Sequence, residues 1–185
     1  MAILVTTSRE PSQRTRSFAR DLASILPRAF YVVRGKRSLN DLALAAFLGT
    51  ADRAVVVNER RGNPSLITVY AASALRGRPS LERRAALKLR GVKLAREVPG
   101  GIGRGTGVSR AFVEVACNSE LCRGVAEVIM DVIGQKLLVG RERADVVLVL
   151  EDKRDFVTLY AVNRNGLRVG PEAKIERVIV HDLRS

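Results

Sequence analysis

Within the first 75 residues, short β-rich runs alternate with segments of helical period, and that alternation leaves few folds open. Ala2 to Thr7 reads as a strand. Ser8-Arg9-Glu10-Pro11-Ser12 is a turn, with Pro11 suited to the first turn of a helix and Ser8 or Ser12 placed to cap it. Phe18, Leu22, Ile25 and Leu26 then recur at helical spacing, Arg14, Arg16 and Arg20 fall largely off that stripe, and Pro27 stops the helix. Phe30 to Val33 is a second strand and Arg34-Gly35-Lys36-Arg37 a basic loop. Ser38 with Asp41 resembles a capping box. It opens a helix of Leu39, Leu42, Leu44, Ala45, Ala46 and Leu48 that is expected to be mostly buried and is closed by Gly49. Ala54 to Val57 is a third strand, Arg60-Arg61-Gly62-Asn63-Pro64 a turn, and Leu66 to Tyr70 a return strand.

This β-α-β-α-β order followed by a hairpin predicts an α/β fold with parallel strands. In such units every strand-to-helix loop emerges at the carboxyl edge of the sheet, where open α/β sheets bind ligands. The loops after the three strands carry Ser8-Arg9, then Arg34-Gly35-Lys36-Arg37, then Arg60-Arg61. With the third strand also parallel, three basic loops converge on one edge. Two of them present helix N-termini, whose free N–H groups favour phosphate.

The rest of the chain is less regular. Leu81 to Val98 fits a helix followed by a strand, or two β segments broken at Gly91, and the alternation of Val92, Leu94, Arg96 and Val98 favours a strand at the end. Residues 99–107 carry five glycines but no G-x-G-x-x-G register, and read as a mobile loop, either a linker or an Arg-bearing segment along a nucleic-acid backbone. Ala111 to Ala116 is a strand. Asn118 or Ser119 caps a helix buried through Leu121, Val125, Val128, Ile129, Val132 and Ile133 and ended by Gly134. Strands follow at Lys136–Val139, Val146–Leu150, Phe156–Val162 and Lys174–His181, with Asn165-Gly166 as a hairpin turn. The strand–cap–helix unit at 111–133 echoes that at 2–26, which predicts two α/β halves, about 1–80 and 81–185.

Charge narrows the partner. The chain carries +13, yet residues 1–110 hold 21 basic and 7 acidic side chains while residues 111–185 hold 11 and 12. Of the 32 basic residues 26 are Arg, whose planar fork binds phosphate bidentately. Genomic base composition or a hot habitat also raises the Arg share, but neither confines the excess to one segment. Segregated charge of one sign points to a polyanion, nucleic acid before an anionic membrane. Aromatics are 4% of the chain, so the core must be built from Val, Leu, Ile and Ala. No apolar run reaches the length of a membrane-spanning helix, and the start of the chain reaches Arg9 too soon for a signal peptide. Two cysteines are no disulfide framework, so Cys117 and Cys122 read as buried thiols and the chain as intracellular, in the cytoplasm.

Catalysis finds little support. One histidine, His181, sits beside Asp182 at a strand end and reads as structural, and Thr6, Thr7 and Ser8 have no base in any motif. Cys117 and Cys122 lack zinc spacing, so no metal, cofactor, small-molecule substrate or membrane is expected. The candidate RNA contacts are Ser8, Arg9, Ser12, Arg14 and Arg16 at the first helix start, Arg34, Gly35, Lys36 and Arg37 in the second loop, Arg60 and Arg61 in the third, and Arg104 with Arg110 in the glycine-rich region. Each group also reads as a solvated, well-capped surface. Tyr31 and Tyr70 fit packing better than base stacking.

One stretch carries a family resemblance. Ile3-Leu4-Val5-Thr6-Thr7-Ser8-Arg9-Glu10-Pro11-Ser12, then Arg14 to Leu22, then Arg34-Gly35-Lys36-Arg37-Ser38-Leu39-Asn40-Asp41-Leu42, strongly resembles the opening of the Brix domain, with a weaker echo at Val169-Gly170-Pro171. The chain is most similar to the single-domain archaeal kind and to the small-subunit processome branch. The resemblance implies two halves, each similar to the anticodon-binding domain of class II aminoacyl-tRNA synthetases. It also implies a non-catalytic role in ribosome biogenesis, with ribosomal RNA or pre-rRNA as partner and other assembly proteins as further candidates. A tRNA-binding accessory module and an enzyme acting on a phosphorylated small molecule are the alternatives. The latter would need Asp21 or Asp41 as its acids, and both fall within predicted helices.

Overall fold

The computed structural model describes residues 2–75 and 77–181. It is a mixed α/β fold built on one nine-stranded sheet and three α-helices. The strands are β1 (Ala2–Thr7), β2 (Ala29–Tyr31), β3 (Ala51–Arg60), β4 (Asn63–Leu75), β5 (Arg78–Lys93), β6 (Ala111–Ala116), β7 (Val146–Lys153), β8 (Phe156–Asn163) and β9 (Arg168–Val180), in the spatial order β2-β1-β3-β4-β5-β9-β8-β7-β6. The helices are α1 (Gln13–Ile25), α2 (Leu39–Leu48) and α3 (Glu120–Ile133). β1 pairs in parallel with both β2 and β3, β6 with β7, and every other pairing is antiparallel.

Strand alternation sorts the side chains between two layers. Ile3, Val5, Val55, Val57, Ile67 and Val69 point to one face, where Phe18, Leu22 and Ile25 of α1 and Val125, Ile129 and Val132 of α3 close a single large core. Leu4 and Ala54 point to the other, beneath Ala46 of α2. The core is aliphatic, as the aromatic content requires; Phe18 is the one aromatic among its largest fully buried side chains. The connection order β-α-β-β-β occurs twice, as β1-α1-β3-β4-β5 with β2-α2 inserted and as β6-α3-β7-β8-β9, and the two runs join where β5 pairs with β9.

Several expectations are corrected here. Residues 78–93 form one long strand, neither a helix nor two segments, because bulges at Lys88–Gly91 absorb the irregular pattern. A division at 80/81 therefore falls inside β5. Residues 95–97 form a 3-10 turn instead of a strand, since Glu97 folds back to accept the Leu94 amide. Residues 136–139 make only an isolated bridge, Ala111 to Leu138. Pro11 precedes the cap of α1 and lies outside the helix. Cys117 and Cys122 are joined by a disulfide: the chain turns over the Ser119 cap and lays Cys117 against the first turn of α3. The glycine-rich segment is pinned down. Gly105 donates to Ser24 Oγ at 3.1 Å and Gly103 accepts from the Gly170 amide at 2.7 Å. A side chain at Gly105 would meet the Ser24 carbonyl oxygen at 2.3 Å, so glycine permits this close approach.

Candidate nucleic-acid interface

Parallel pairing of β1 with β2 and β3 places the segment 8–12, the segment 32–38 and the Arg61-Gly62 turn along one edge. Short hydrogen bonds stitch the three together. Ser8 N–H donates to Val57 O at 2.8 Å, Val32 N–H to Val5 O at 2.9 Å, and Thr6 Oγ1 to Val32 O at 2.7 Å. Ser12 Oγ donates to Gly62 O at 2.9 Å. The third loop is a two-residue hairpin with φ of 52° at Arg61 and 78° at Gly62, the twist-matched turn of a tight hairpin. Gly35 holds φ of 52° with open space where a Cβ would stand, so its backbone conformation, not crowding, calls for glycine.

The helix N-termini at this edge are already filled. Glu59 of β3 reaches α1 and accepts the Ser12 amide through Oε2 at 2.7 Å. Burial alone would raise its pKa, but the Ser12 amide, the Thr15 and Ser12 hydroxyls and the Arg16 charge outweigh that and leave it below the usual carboxylate range. Asp41 closes the capping box at α2, accepting the Ser38 amide at 2.7 Å, and these bonds depress its pKa. Asp152 of β7 does the same at α3, where the Ser119 hydroxyl and the Ser119 and Asn118 amides lower its pKa. The expectation that helix N-termini cradle phosphate is therefore overturned: each macrodipole has a carboxylate of the chain's own.

Four candidates leave the set with it. Ser12 is spent on capping, accepting the Thr15 amide at 3.2 Å. Arg14 makes a two-pronged ion pair with Glu97, at 2.5 and 2.9 Å. Arg16 turns back onto the Pro11 carbonyl, at 2.8 Å from Nη2, and its charge acts on the Glu59 carboxylate; Arg37 likewise reaches the Val33 carbonyl at 2.8 Å but has no such carboxylate in an ion pair. Arg104 donates to the buried Asp21 at 2.5 Å. Arg110 lies outside this edge, at the start of β6, where its amide is held by Asp145 at 3.0 Å. Three cations of β5 are met by acids of the second segment: Lys88 by Glu176 at 2.7 Å, Arg90 by Asp155 at 3.7 Å and Lys93 by Glu172 at 3.5 Å.

Six of the candidate cations remain at this edge. Among the described residues, Arg9, Arg34, Lys36, Arg37, Arg60 and Arg61 take part in no ion pair. All but Arg34 are exposed. Arg34 is buried, its Nε donating to Arg37 O at 2.8 Å. Burial first, and the Arg9 charge second, push its pKa down, although a guanidinium stays charged. The Tyr70 and Asp41 groups act in the opposite direction without outweighing burial and the Arg9 charge. Tyr31 has the Arg20 guanidinium 5.1 Å from its ring centre and is not a bare stacking platform. Tyr70 packs beside Leu4 and Ala54. Neither the Arg20–Tyr31 stack nor the reach of Glu59 has a local signal in the sequence. His181 is half-buried just past the end of β9, its amide donating to Arg84 O of β5 at 2.8 Å; Asp182 lies outside the described residues.

No protein-family profile matches the chain. Individual relatives do. A protein of Methanopyrus kandleri named a probable Brix domain-containing ribosomal biogenesis protein is 32% identical over 179 residues, which cover 90% of this chain and 89% of that one. The chain belongs to the Brix domain family. A Brix domain-containing relative from Aeropyrum pernix is 46% identical over 93 residues, though this stretch spans only half of either chain. A crystal structure of a probable ribosomal biogenesis protein from the same organism overlays this Brix domain with a TM-score of 0.81 at 33% identity, covering 95% of this chain and 96% of that one. An archaeal Imp4-like protein shares the fold, with a TM-score of 0.68 at 24% identity. Among the described residues of this Brix domain no helix is long and apolar enough to cross a membrane.

Proposed function

We propose that this Brix domain is a non-catalytic ribosomal-RNA-binding protein that assists ribosome assembly in the cytoplasm, gripping structured RNA through Arg9, Arg34, Lys36, Arg37, Arg60 and Arg61. One observation carries the reading: these cations lie on three loops stitched along one sheet edge, and none of them takes part in an ion pair among the described residues, whereas Arg14 and Arg104 are held by Glu97 and Asp21. Ser8 and Gly35 serve by setting the loop backbones. The names of the relatives support the ribosomal role and point to no enzyme class. The repeated β-α-β-β-β order supports reading the chain as two halves, which we take to be akin to anticodon-binding domains; pre-rRNA processing and small-subunit assembly are the pathway proposed for them.

The mechanism is electrostatic. Each neutralised phosphate releases condensed counterions, so the logarithm of affinity falls by about 0.7–0.9 per contact per decade of salt. Six contacts give a slope of roughly −4 to −5, and affinity falls roughly 300- to 2,000-fold between about 50 and 200 mM salt. Filter binding to a structured rRNA fragment measures this. Arg9→Glu, Lys36→Glu and Arg60→Glu should each flatten the slope by about one. Equal slopes in these variants, or equal losses from Arg104→Ala, would overturn the assignment, as would crosslinked RNA that proves to be tRNA.

A further inference from the structure

The helix α2 was expected to be mostly buried, and it is not. Its inner side, Leu42, Ala43 and Ala46, is covered. Its outer side carries Leu44, Phe47 and Leu48, which are 49%, 54% and 73% exposed. Spacings of three and four residues align them in one stripe. Asp41 is the only charged residue of this ten-residue helix, and it is consumed by the capping box. A helix apolar on all sides belongs in an interior, and an exposed apolar patch rimmed by polar residues marks a contact surface. Leu39 and Val33, nearer the basic loop, are exposed as well.

Beside Phe47 lies an open groove of about 360 Å³. Ala72, Ser73 and Ala74 of β4, with Ala43, Thr50, Ala51 and Asp52, line it, and Asp52 is its one charged side chain among the described residues. Small side chains on the strand leave this trough empty. Since ~150 Å³ holds a benzene ring, the groove has room for two leucine-sized anchors. Away from Asp52 the flanks are basic. Lys36 and Arg37 stand just before α2, and exposed Arg83 lies opposite Tyr70 across the β4–β5 pairing, hence on the α2 side of the sheet. A second copy of the chain would bring the same basic flanks and another +13 against these. RNA would satisfy the flanks and leave the leucines in water.

We propose that the outer face of α2 and its groove dock an amphipathic helical segment of another protein, apolar on one side and acidic on its flanks. Its apolar anchors at i, i+3 or i+4 and i+7 lie on Leu44, Phe47 and Leu48 with one in the groove, and its carboxylates meet Lys36, Arg37 and Arg83. This surface goes beyond the RNA edge and shares only the 36–37 loop with it.

Two labelled synthetic helical peptides test it on the full chain by fluorescence anisotropy, both with leucines at i, i+3 and i+7, one flanked by glutamates and the other by lysines. The glutamate peptide is expected to bind at least tenfold tighter than the lysine peptide. The Leu44→Gln/Leu48→Gln double variant should lose at least tenfold in that affinity while keeping its melting temperature and its RNA salt slope, since both leucines point to solvent and lie off the RNA edge. Equal binding of the two peptides, or unchanged binding by the double variant, overturns the proposal. So does a dimer in sedimentation, or flotation with anionic phosphatidylglycerol vesicles, that the double variant abolishes. The RNA slope is read separately, so failure here is distinguishable from failure of the RNA assignment.

Discussion

Glu59 ties stability and RNA binding together with opposite signs. Its carboxylate accepts the Ser12 amide at 2.7 Å and faces the positive end of α1, next to Arg60 and Arg61. Glu59→Gln keeps the shape and an acceptor oxygen but removes the charge. A hydrogen bond to a charged group contributes about 1.5–3 kcal/mol against 0.5–1.5 for a neutral one, and the helix dipole adds about 0.3–1. The half-buried setting favours the lower end, so the loss is about 1.5 kcal/mol, or roughly 3–6 °C in Tm for a domain of this size. Because the folded-state pKa is depressed, this contribution is complete above the ordinary carboxylate range and is lost as pH falls through the folded-state value. The gap in Tm between the parent and Glu59→Gln should therefore be widest near about pH 7 and close as pH falls below the ordinary carboxylate range. RNA affinity should move the other way, rising about two- to fivefold at low salt as the helix end opens to phosphate. Calorimetry across pH and filter binding on the same variant measure both. A pH-independent gap, or affinity that falls together with stability, would refute the reasoning.

Three further outcomes are expected. Arg61→Asn should raise stability by about 0.5–1 kcal/mol in urea titration, because φ of 52° suits Asn better than Arg, while flattening the RNA salt slope by about one. Gly170→Ala should cost about 3 kcal/mol or more: φ is +70° and the new Cβ would stand 2.2 Å from Ile25 Cγ2, so a loss under about 1 kcal/mol in the same titration would contradict the packing described. Arg104→Ala should lower stability by about 2 kcal/mol by stripping a partner from buried Asp21, discounted for the exposed arginine, and leave the RNA salt slope unchanged in filter binding.

Much of the local structure was legible. The strand at 2–7, the Ser12 and Ser119 caps, the Ser38–Asp41 box and the stops at Pro27, Gly49 and Gly134 all stand where short-range chemistry puts them. The misreadings have physical causes. Residues 78–93 mix periods because bulges interrupt the strand. The exposure of α2 was unreadable because a helix apolar on every side gives no phase from which to choose its buried face. The cysteine pairing depended on how the chain turns over the α3 cap.

The sequence by itself determined the order of strands and helices through the first 75 residues, the aliphatic core and the confinement of excess positive charge to residues 1–110, because periodicity, capping and composition act within a few residues. Only the tertiary structure decided which arginines remain open to a ligand. Arg14 meets Glu97 and Arg104 meets Asp21 across 83 residues, and Glu59 meets Ser12 across 47. Coulomb attraction and hydrogen bonding act over a few ångströms, so these partners became known only once the sheet had brought distant segments together.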